Sequence, residues 1–557
     1  MAYDYHCEGH ISVASVAGVR TIRNLSFGTL RKHHFSLAHM HWQFSDRLNL
    51  MPRLSTHPIT RSRDPKPVNR RSSIAINETS LKDYDVIAIG TGSAMYVVDG
   101  MMQQNPRIKV AVIDKDEPGG ICLTRGCIPS KILLYPAEVV RTIQTAGIFG
   151  IEVDLKKVSF EKVMKRMRTI IDHDIESIRA GLSSSPYLHY FPAPAEFIAP
   201  YTLKVQDETI RSNMILLSIG SKAIIPPIKG LGEVGYHTSD SILYETKLPE
   251  SLAIVGGGYI AAEYSHFFST MGSKVTIIGR NPQFLPQEEP EISALAKQEL
   301  GQHITILTGY EVLEATRAEG KKKIVAVNRQ TGKSTNLLVQ EIMIAAGHGP
   351  TTDILHPERA GIKTDSRGWV MVNEFLETSA QNVWAFGDAN GKYLFKHKAN
   401  YETTVVYYNA VLKQKLPVDY HAVPHAVFSN PEIASVGLRE KEAIEKFGEK
   451  NILIGFERYE DTAKGEAMAV KNYFAKAIVE KDTLRIIGAH IIGPQASVLI
   501  QEIINLMYTH DQSARPLLQA MHIHPALSEV VQRAFQSLMT PEQYHHQLQH
   551  AMSHNEE

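Results

Sequence analysis

Two of the three cysteines in this 557-residue chain stand five positions apart in one short stretch, GGICLTRGCIPSK, from Gly119 to Lys131. Close-set thiols bind a metal, sit inert in a core, or cycle between dithiol and disulfide. A structural zinc site asks for four ligands at close, paired spacings, and the remaining cysteine, Cys7, lies far away near the N-terminus. His421 and His425 have a helical spacing, but Pro424 between them breaks the helix that would aim both at one ion. No metal site is therefore expected; inert thiols and a working disulfide both remain. The pair precedes a helix-like run, KILLYPAEVVRTIQ, whose positive end, with Arg125 and Lys131, favours thiolate over thiol.

A pair like this has to be held by a scaffold, and the sequence contains one pattern twice. DYDVIAIGTGSAMYVVDGMM reads as a β-branched strand, a Gly-rich turn and a helix, and KVAVIDKDEPGG follows as a second strand. SLAIVGGGYIAAEYSHFFSTMGSKVTIIGR repeats that order. The glycines permit a tight turn and close approach of backbone to a pyrophosphate, whose charge then sits at a helix N-terminus. In the first unit Gly90 and Gly92 keep the spacing, Met95 stands at the third glycine position, and Asp114 ends the second strand where a ribose hydroxyl needs an acceptor. In the second, Gly256, Gly258 and Ala261 complete the pattern, but the strand ends in Gly279-Arg280 with no acid. An arginine there pairs with a 2′-phosphate that an acid would repel, so the sequence leans to NADPH over NADH. Two such units imply two nucleotides handled together. Further strand-rich stretches, RSNMILLSIG, EIMIAAGHGP and NVWAFGDAN, lead to an α+β segment from about Ala422 to Phe535.

The composition, 43% hydrophobic and 21% charged with a formal net charge of zero, suits several full cores and favours neither nucleic acid nor an anionic membrane as partner. No run approaches the roughly 18 apolar residues of a spanning helix, and no compact signal peptide opens the chain. Three cysteines are too few for a secreted disulfide framework, so a reducing compartment, the cytoplasm, is expected. Residues 1–80 are rich in Arg, Ser and His and poor in acids. They read as a disordered extension, as residues outside the native chain, or as a transit segment that would direct the protein to the mitochondrial matrix.

The segment from Gly119 to Pro129 resembles the active-site signature of the class I pyridine nucleotide-disulfide oxidoreductases, the family of dihydrolipoamide dehydrogenase, glutathione reductase, mercuric reductase and mycothione reductase. Later landmarks follow in that family's order: GSKAIIPP from Gly220, the second nucleotide motif, AFGDAN with Asp388, NPEIASVGL from Asn430 and HIHPALSE from His522. The resemblance implies an α/β fold with two Rossmann-like dinucleotide-binding domains, for FAD and for NAD(H) or NADP(H), and a C-terminal α+β dimerisation domain. It divides the chain into an extension (1–80), an FAD-binding domain carrying the redox disulfide (81–235), an NAD(P)-binding domain (236–339), a second FAD-binding and central part (340–418), a dimerisation domain (419–540) and a polar tail (541–557).

Residue by residue, the resemblance makes Cys122 the interchange thiol and Cys127 the thiol facing the flavin. Gly90, Gly92, Asp114, Gly220 and Asp388 fall on FAD contacts, Lys131 pairs with Glu263 at the flavin edge, and Tyr259 lies where the nicotinamide enters. Gly256, Gly258 and Arg280 fall to the nicotinamide nucleotide. His524 becomes the base, oriented by Glu529, and reaches the disulfide of the other subunit of a homodimer. The chemistry agrees: a dithiol must lose a proton before its sulfur attacks, and a histidine titrating near neutrality takes it.

Departures from the family pattern bear on the substrate. Thr124 and Arg125 replace the more usual Asn and Val, and His348 stands where an Arg is common. Arg125 is expected to lower the thiol pKa values, to meet an anionic substrate, or simply to be solvated. No cysteine follows Cys127, which disfavours mercuric reductase, and Ser130 weighs against glutathione reductase. CIPSK resembles dihydrolipoamide dehydrogenases, whereas YPAEVVRTIQTAGIFGI and LFKHKANYE resemble mycothione reductase. The expected function is therefore an oxidoreductase acting on sulfur. Dihydrolipoyl dehydrogenase, serving the lipoyl group of a 2-oxo acid dehydrogenase complex, comes first. An NADPH-dependent reductase of a small thiol disulfide such as mycothione comes second. A non-catalytic FAD-binding component of a complex comes last, because Cys122, Cys127, His524 and Glu529 are all present.

Overall fold

Val86–Ile89 and Val110–Asp114 are buried almost without interruption, the pattern of strands covered on both faces. In the computed structural model, which describes residues 81–553, they lie in a five-stranded parallel sheet. Its order is Val383–Ala385, Ile215–Leu217, Val86–Ile89, Val110–Asp114 and Leu188–Pro192. Chain order runs outward from Val86–Ile89 on one side while later strands add on the other, so this strand is the switch point where an open α/β sheet binds its ligand. The Gly-rich turn before the Ala94–Gln104 helix leaves that strand. The expectations for residues 1–80 fall outside the described residues.

The second unit repeats the plan. His237–Thr238, Glu341–Ile344, Ser251–Val255, Lys274–Gly279 and Thr305–Thr308 form a second parallel sheet, with its switch point at Ser251–Val255. The helix from this strand, Tyr259–Met271, is buried nearly all round. Its Phe267, Phe268 and Met271 share one core with Leu133, Leu134, Ala137 and Val140 of the Cys127–Thr145 helix, which sets the redox helix against the second nucleotide unit.

The C-terminal region is an antiparallel sheet in the order His425–Val427, Ile433–Gly437, Ile486–Ile492, Phe474–Glu480 and Ile452–Arg458. Helices Ala496–Met507 and Ser528–Gln536 close its core. Fully buried Lys476 in this sheet faces Glu289 at 3.4 Å, Glu291 at 2.5 Å and Glu440 at 2.7 Å. Burial alone would drive this ammonium towards neutrality, but the three carboxylates outweigh it and raise its pKa.

The stretch from Pro541, expected as a solvated polar tail, instead forms a helix, Pro541–Ser553. Tyr544 is buried and donates to Glu291 at 2.8 Å, while His545 lies 2.7 Å from Glu440. One aromatic side chain and two partners for buried carboxylates are enough to dock an otherwise polar helix.

Candidate redox site and nucleotide clefts

Cys122 lies in a one-turn helix, Gly120–Thr124, and Cys127 opens the Cys127–Thr145 helix. Gly120 has a φ of +72°, and a Cβ there would fall 2.7 Å from the Cα of Gly92, so only glycine lets the redox loop rest on the first nucleotide turn. The two thiols are in hydrogen-bond contact. Donation from Cys122 holds the Cys127 thiol down at about 7, with Lys131 assisting against burial, Glu263 and Asp388. Donating that bond, together with burial, pushes the Cys122 thiol up. A thiol whose pKa is pulled below its ordinary value by a neighbouring thiol and a lysine suits a redox pair.

Lys131 donates to both carboxylate oxygens of Glu263 at 2.9 Å and lies 4.5 Å from the centre of the Phe428 ring. Glu263 also accepts from the Phe428 amide at 3.1 Å. Tyr259 is the first residue of its helix, with its ring 6.4 Å from that of Phe395.

At the first cleft, Gly90 has a φ of +101°, and any Cβ would stand 2.1 Å from the carbonyl oxygen of Ser218. Thr91 donates to Asp114 through its amide at 2.8 Å and its hydroxyl at 2.5 Å, and the amide of Asp116 reaches the other carboxylate oxygen at 3.0 Å. Asp114, expected as a ribose acceptor, thus braces the turn as well as lining the cleft with Gly90, Gly92, Gly120 and Gly220. Ser221 donates to Asp388 at 2.6 Å. The Gly387 peptide beside it is gripped from both ends: its N–H donates to Glu402 at 2.7 Å and its carbonyl accepts from Lys398 at 2.9 Å. Lys398 and Glu402 are themselves a fully buried ion pair at 3.1 Å. No side chain caps the Ala94–Gln104 helix, so its first-turn amides and the glycine cradle fit the diphosphate of FAD.

The second cleft is a cavity of about 1250 Å³ whose walls include Gly256, Gly258, Tyr259, Arg280, Glu288 and His425. Glu288 is buried, yet hydrogen bonds from His425 and Ser435, both 2.7 Å, outweigh burial and keep its carboxyl low. Arg280 is exposed at the lip and has no ion-pair partner among the described residues.

His524 Nδ1 lies 2.9 Å from Glu529, whose other oxygen accepts from the Ala526 amide at 3.0 Å. These bonds hold the Glu529 carboxyl below its ordinary range, which orients the imidazole. The His524 side chain is 67% exposed, and among the described residues no hydrogen bond or ion pair joins it to either cysteine of the same chain.

Of the three readings of Arg125, simple solvation does not hold, because acids engage it. It pairs with Asp116 at 2.6 Å and Asp240 at 3.2 Å and also donates to Thr124, so two carboxylates balance its charge. His348 pairs by its backbone with Ala223, and burial lowers its pKa. His421 and His425 take separate partners, Asp419 and Glu288, rather than converging. Sequence reasoning missed Ser93, Ser221, Lys396 and Glu402; of these, Ser221 sits beside Gly220, and Lys396 lies within the quoted LFKHKANYE.

The family model described as pyridine nucleotide-disulphide oxidoreductase matches residues 84–410, and its dimerisation domain matches residues 423–535. This chain belongs to that family. The oxidoreductase is 34% identical to a mycothione reductase of Mycobacterium tuberculosis over 82% of its own length and 100% of the relative's. It is 32% identical to a dihydrolipoyl dehydrogenase of Thermus scotoductus, over 82% and 98% respectively. Among solved structures it matches the HOCl-induced flavoprotein disulfide reductase RclA of Escherichia coli with a TM-score of 0.72 at 27% identity, over 81% of this chain and 99% of that one. The oxidoreductase is therefore FAD-dependent, uses NAD(P)H, acts on sulfur and carries a dimerisation domain. No helix among its described residues is long and apolar enough to cross a membrane.

Proposed function

We propose that this protein uses NADPH to reduce the disulfide of a low-molecular-weight thiol, the class that includes mycothione, through Cys122 and Cys127. One observation carries the reading: the Lys274–Gly279 strand ends without an acid, and Arg280 stands exposed at the cavity lip with no carboxylate partner among the described residues. A 2′-phosphate supplies the missing partner.

FAD, bound at the first cleft through Gly90, Gly92, Asp114 and Asp388, supplies the two-electron relay between nicotinamide and cysteine pair. The chain's own residues do the rest. The Cys122 thiolate attacks one substrate sulfur, a mixed disulfide forms, and the departing thiolate takes a proton from His524 of the partner subunit. Cys127 then attacks the Cys122 sulfur, which closes the disulfide and releases the second thiol. The exposure of His524, with Glu529 already holding its ring, suits a base that serves a neighbouring chain.

A second reading is dihydrolipoyl dehydrogenase, favoured by relatives of that name at 30–32% identity. The same groups then run in reverse, with His524 deprotonating a lipoyl dithiol, within a 2-oxo acid dehydrogenase complex. Either chemistry needs a reducing compartment, and we place the protein in the cytoplasm. NADH and NADPH, each assayed with lipoamide, glutathione disulfide and mycothione disulfide, separate the readings. NADPH oxidation with mycothione disulfide supports the first, and exclusive use of NADH with lipoamide overturns it.

A further inference from the structure

His425 takes no part in the mechanism above, yet its side chain, 22% exposed, stands in the wall of the second cleft with Tyr259 and Phe395. Three contacts fix it. Its Nε2 lies 2.7 Å from Oε1 of buried Glu288, whose Oε2 accepts from the Ser435 hydroxyl at 2.7 Å. Its ring stacks on that of Phe395, centres 5.9 Å apart and planes within 6°, and Phe395 stands 6.4 Å from Tyr259. The carbonyl of Pro424, one residue before, is 2.7 Å from Nε2 of His397, whose ring also stacks on Phe395. Against burial, the bonds from His425 and Ser435 keep the Glu288 carboxyl low, so it accepts at both oxygens and the neutral imidazole carries its proton on Nε2. Nδ1 is then a bare acceptor. Among the described residues no group donates to it, and it is not buried.

The strand places this acceptor. His425–Val427 runs on to Phe428, whose amide donates to Glu263 at 3.1 Å and whose ring centre lies 4.5 Å from the Lys131 ammonium of the redox helix. Three residues of strand span about 10 Å, so His425 stands at the end of the cavity towards the cysteine pair. A nicotinamide has to present its C4 hydride at that end, and the carbon next to C4 bears a carboxamide whose N–H groups are donors. We propose that His425 Nδ1 accepts a hydrogen bond from the nicotinamide carboxamide, and that Glu288 is the positioning residue that fixes the tautomer. The inference rests on the reading of the second cleft as the nicotinamide nucleotide's site, and it holds for NADH and NADPH alike because the two share that end. An acceptor fixed beside C4 sets which way the carboxamide, and with it the ring, is turned, and it rejects a ring that offers no donor.

The test compares binding rather than turnover. Dissociation constants are measured by flavin fluorescence on oxidised, FAD-loaded protein for NADP+, for its 3-acetylpyridine analogue, in which a methyl replaces the amine while the carbonyl stays, and for 2′,5′-ADP, which lacks the nicotinamide half. One hydrogen bond predicts that wild type binds NADP+ about 5- to 10-fold more tightly than the analogue. His425→Leu is expected to weaken NADP+ by that factor and to leave the analogue and 2′,5′-ADP unchanged, so the preference disappears. If that variant does not retain its flavin absorbance, adding Glu288→Gln removes the stranded charge and gives the same comparison. Glu288→Leu, which keeps His425 but frees its proton, is expected to shrink the preference; a preference left at full strength overturns the part given to Glu288. Should the protein take NADH, then NAD+, its 3-acetylpyridine analogue and ADP-ribose replace the three ligands. A preference absent from wild type, or retained by His425→Leu, overturns the role of His425. NADP+ binding that 2′,5′-ADP does not displace overturns the reading of the cleft instead.

Discussion

Lys131 on the redox helix holds its ammonium 2.9 Å from both carboxylate oxygens of Glu263 on the second nucleotide helix. The contact ties Cys127, whose pKa is held below its ordinary value, to the second nucleotide unit. Lys131→Met removes a cation that acts on Cys127 and leaves a buried carboxylate unpaired, and both changes raise the thiol pKa. The thiolate titration of the reduced protein, followed by ultraviolet absorbance, is expected to move up by roughly one unit. An unchanged titration means that the Cys122 hydrogen bond alone sets it.

The Lys398–Glu402 pair grips the Gly387 peptide and so aims Asp388. Glu402→Ala leaves a buried ammonium without its partner and is expected to cost about 3–5 kcal/mol in urea unfolding. The double change Lys398→Met with Glu402→Leu should recover much of that stability, because an apolar pair strands no charge. FAD affinity should stay low in both, since the Gly387 peptide is no longer held. FAD binding at wild-type strength in the double variant would show that the grip is dispensable.

His266 is buried beside Thr270, and burial first, then Arg141, lowers its pKa to about 3 from an ordinary 6.5. Between those values the unfolded chain binds a proton that the native protein does not. This contribution is complete above pH 6.5 and falls by about 1.4 kcal/mol per unit as pH drops towards the folded value. His266→Leu should flatten the acid limb of the stability profile by that slope, measured as the difference between the two proteins' unfolding free energies at neutral and mildly acid pH. Parallel profiles would contradict the assignment.

Arg280→Ala is expected to raise KM for NADPH about 10- to 100-fold, the worth of one or two charge-assisted hydrogen bonds, with KM for NADH and kcat little changed. Equal effects on both nucleotides would mean that Arg280 does not read the 2′-phosphate.

Short motifs made much of this site legible. The cysteine spacing, the two glycine turns and the His524–Glu529 step are local, because turn geometry and helix termini demand particular residues at fixed offsets. Lys131 with Glu263, 132 positions apart, was legible only through the family resemblance; other contacts made across the fold were not. The partners of Arg125 include Asp240, brought in by the turn after the His237–Thr238 strand of the second sheet, and no periodicity announces it. Lys396 meets Ser93 across 303 positions only because the Lys396–Val406 helix crosses the first nucleotide turn. The helix from Pro541 looked solvated because its composition is polar, whereas one tyrosine and one histidine decide its place by finding buried carboxylates.

Lys476 has a consequence for motion. It sits in the C-terminal sheet, and two of its three carboxylates, Glu289 and Glu291, lie at the start of the Pro290–Gly301 helix of the second nucleotide unit. Swinging that unit away would expose an ammonium and strand its acids, a penalty far above thermal energy. The ion cluster thereby opposes a hinge motion between the two regions, and the cavity beside it is already formed. Side chains in the wall of that cavity, such as Tyr259 and Phe395 with their rings 6.4 Å apart, can still reorient on the timescale of rotamer exchange rather than domain travel.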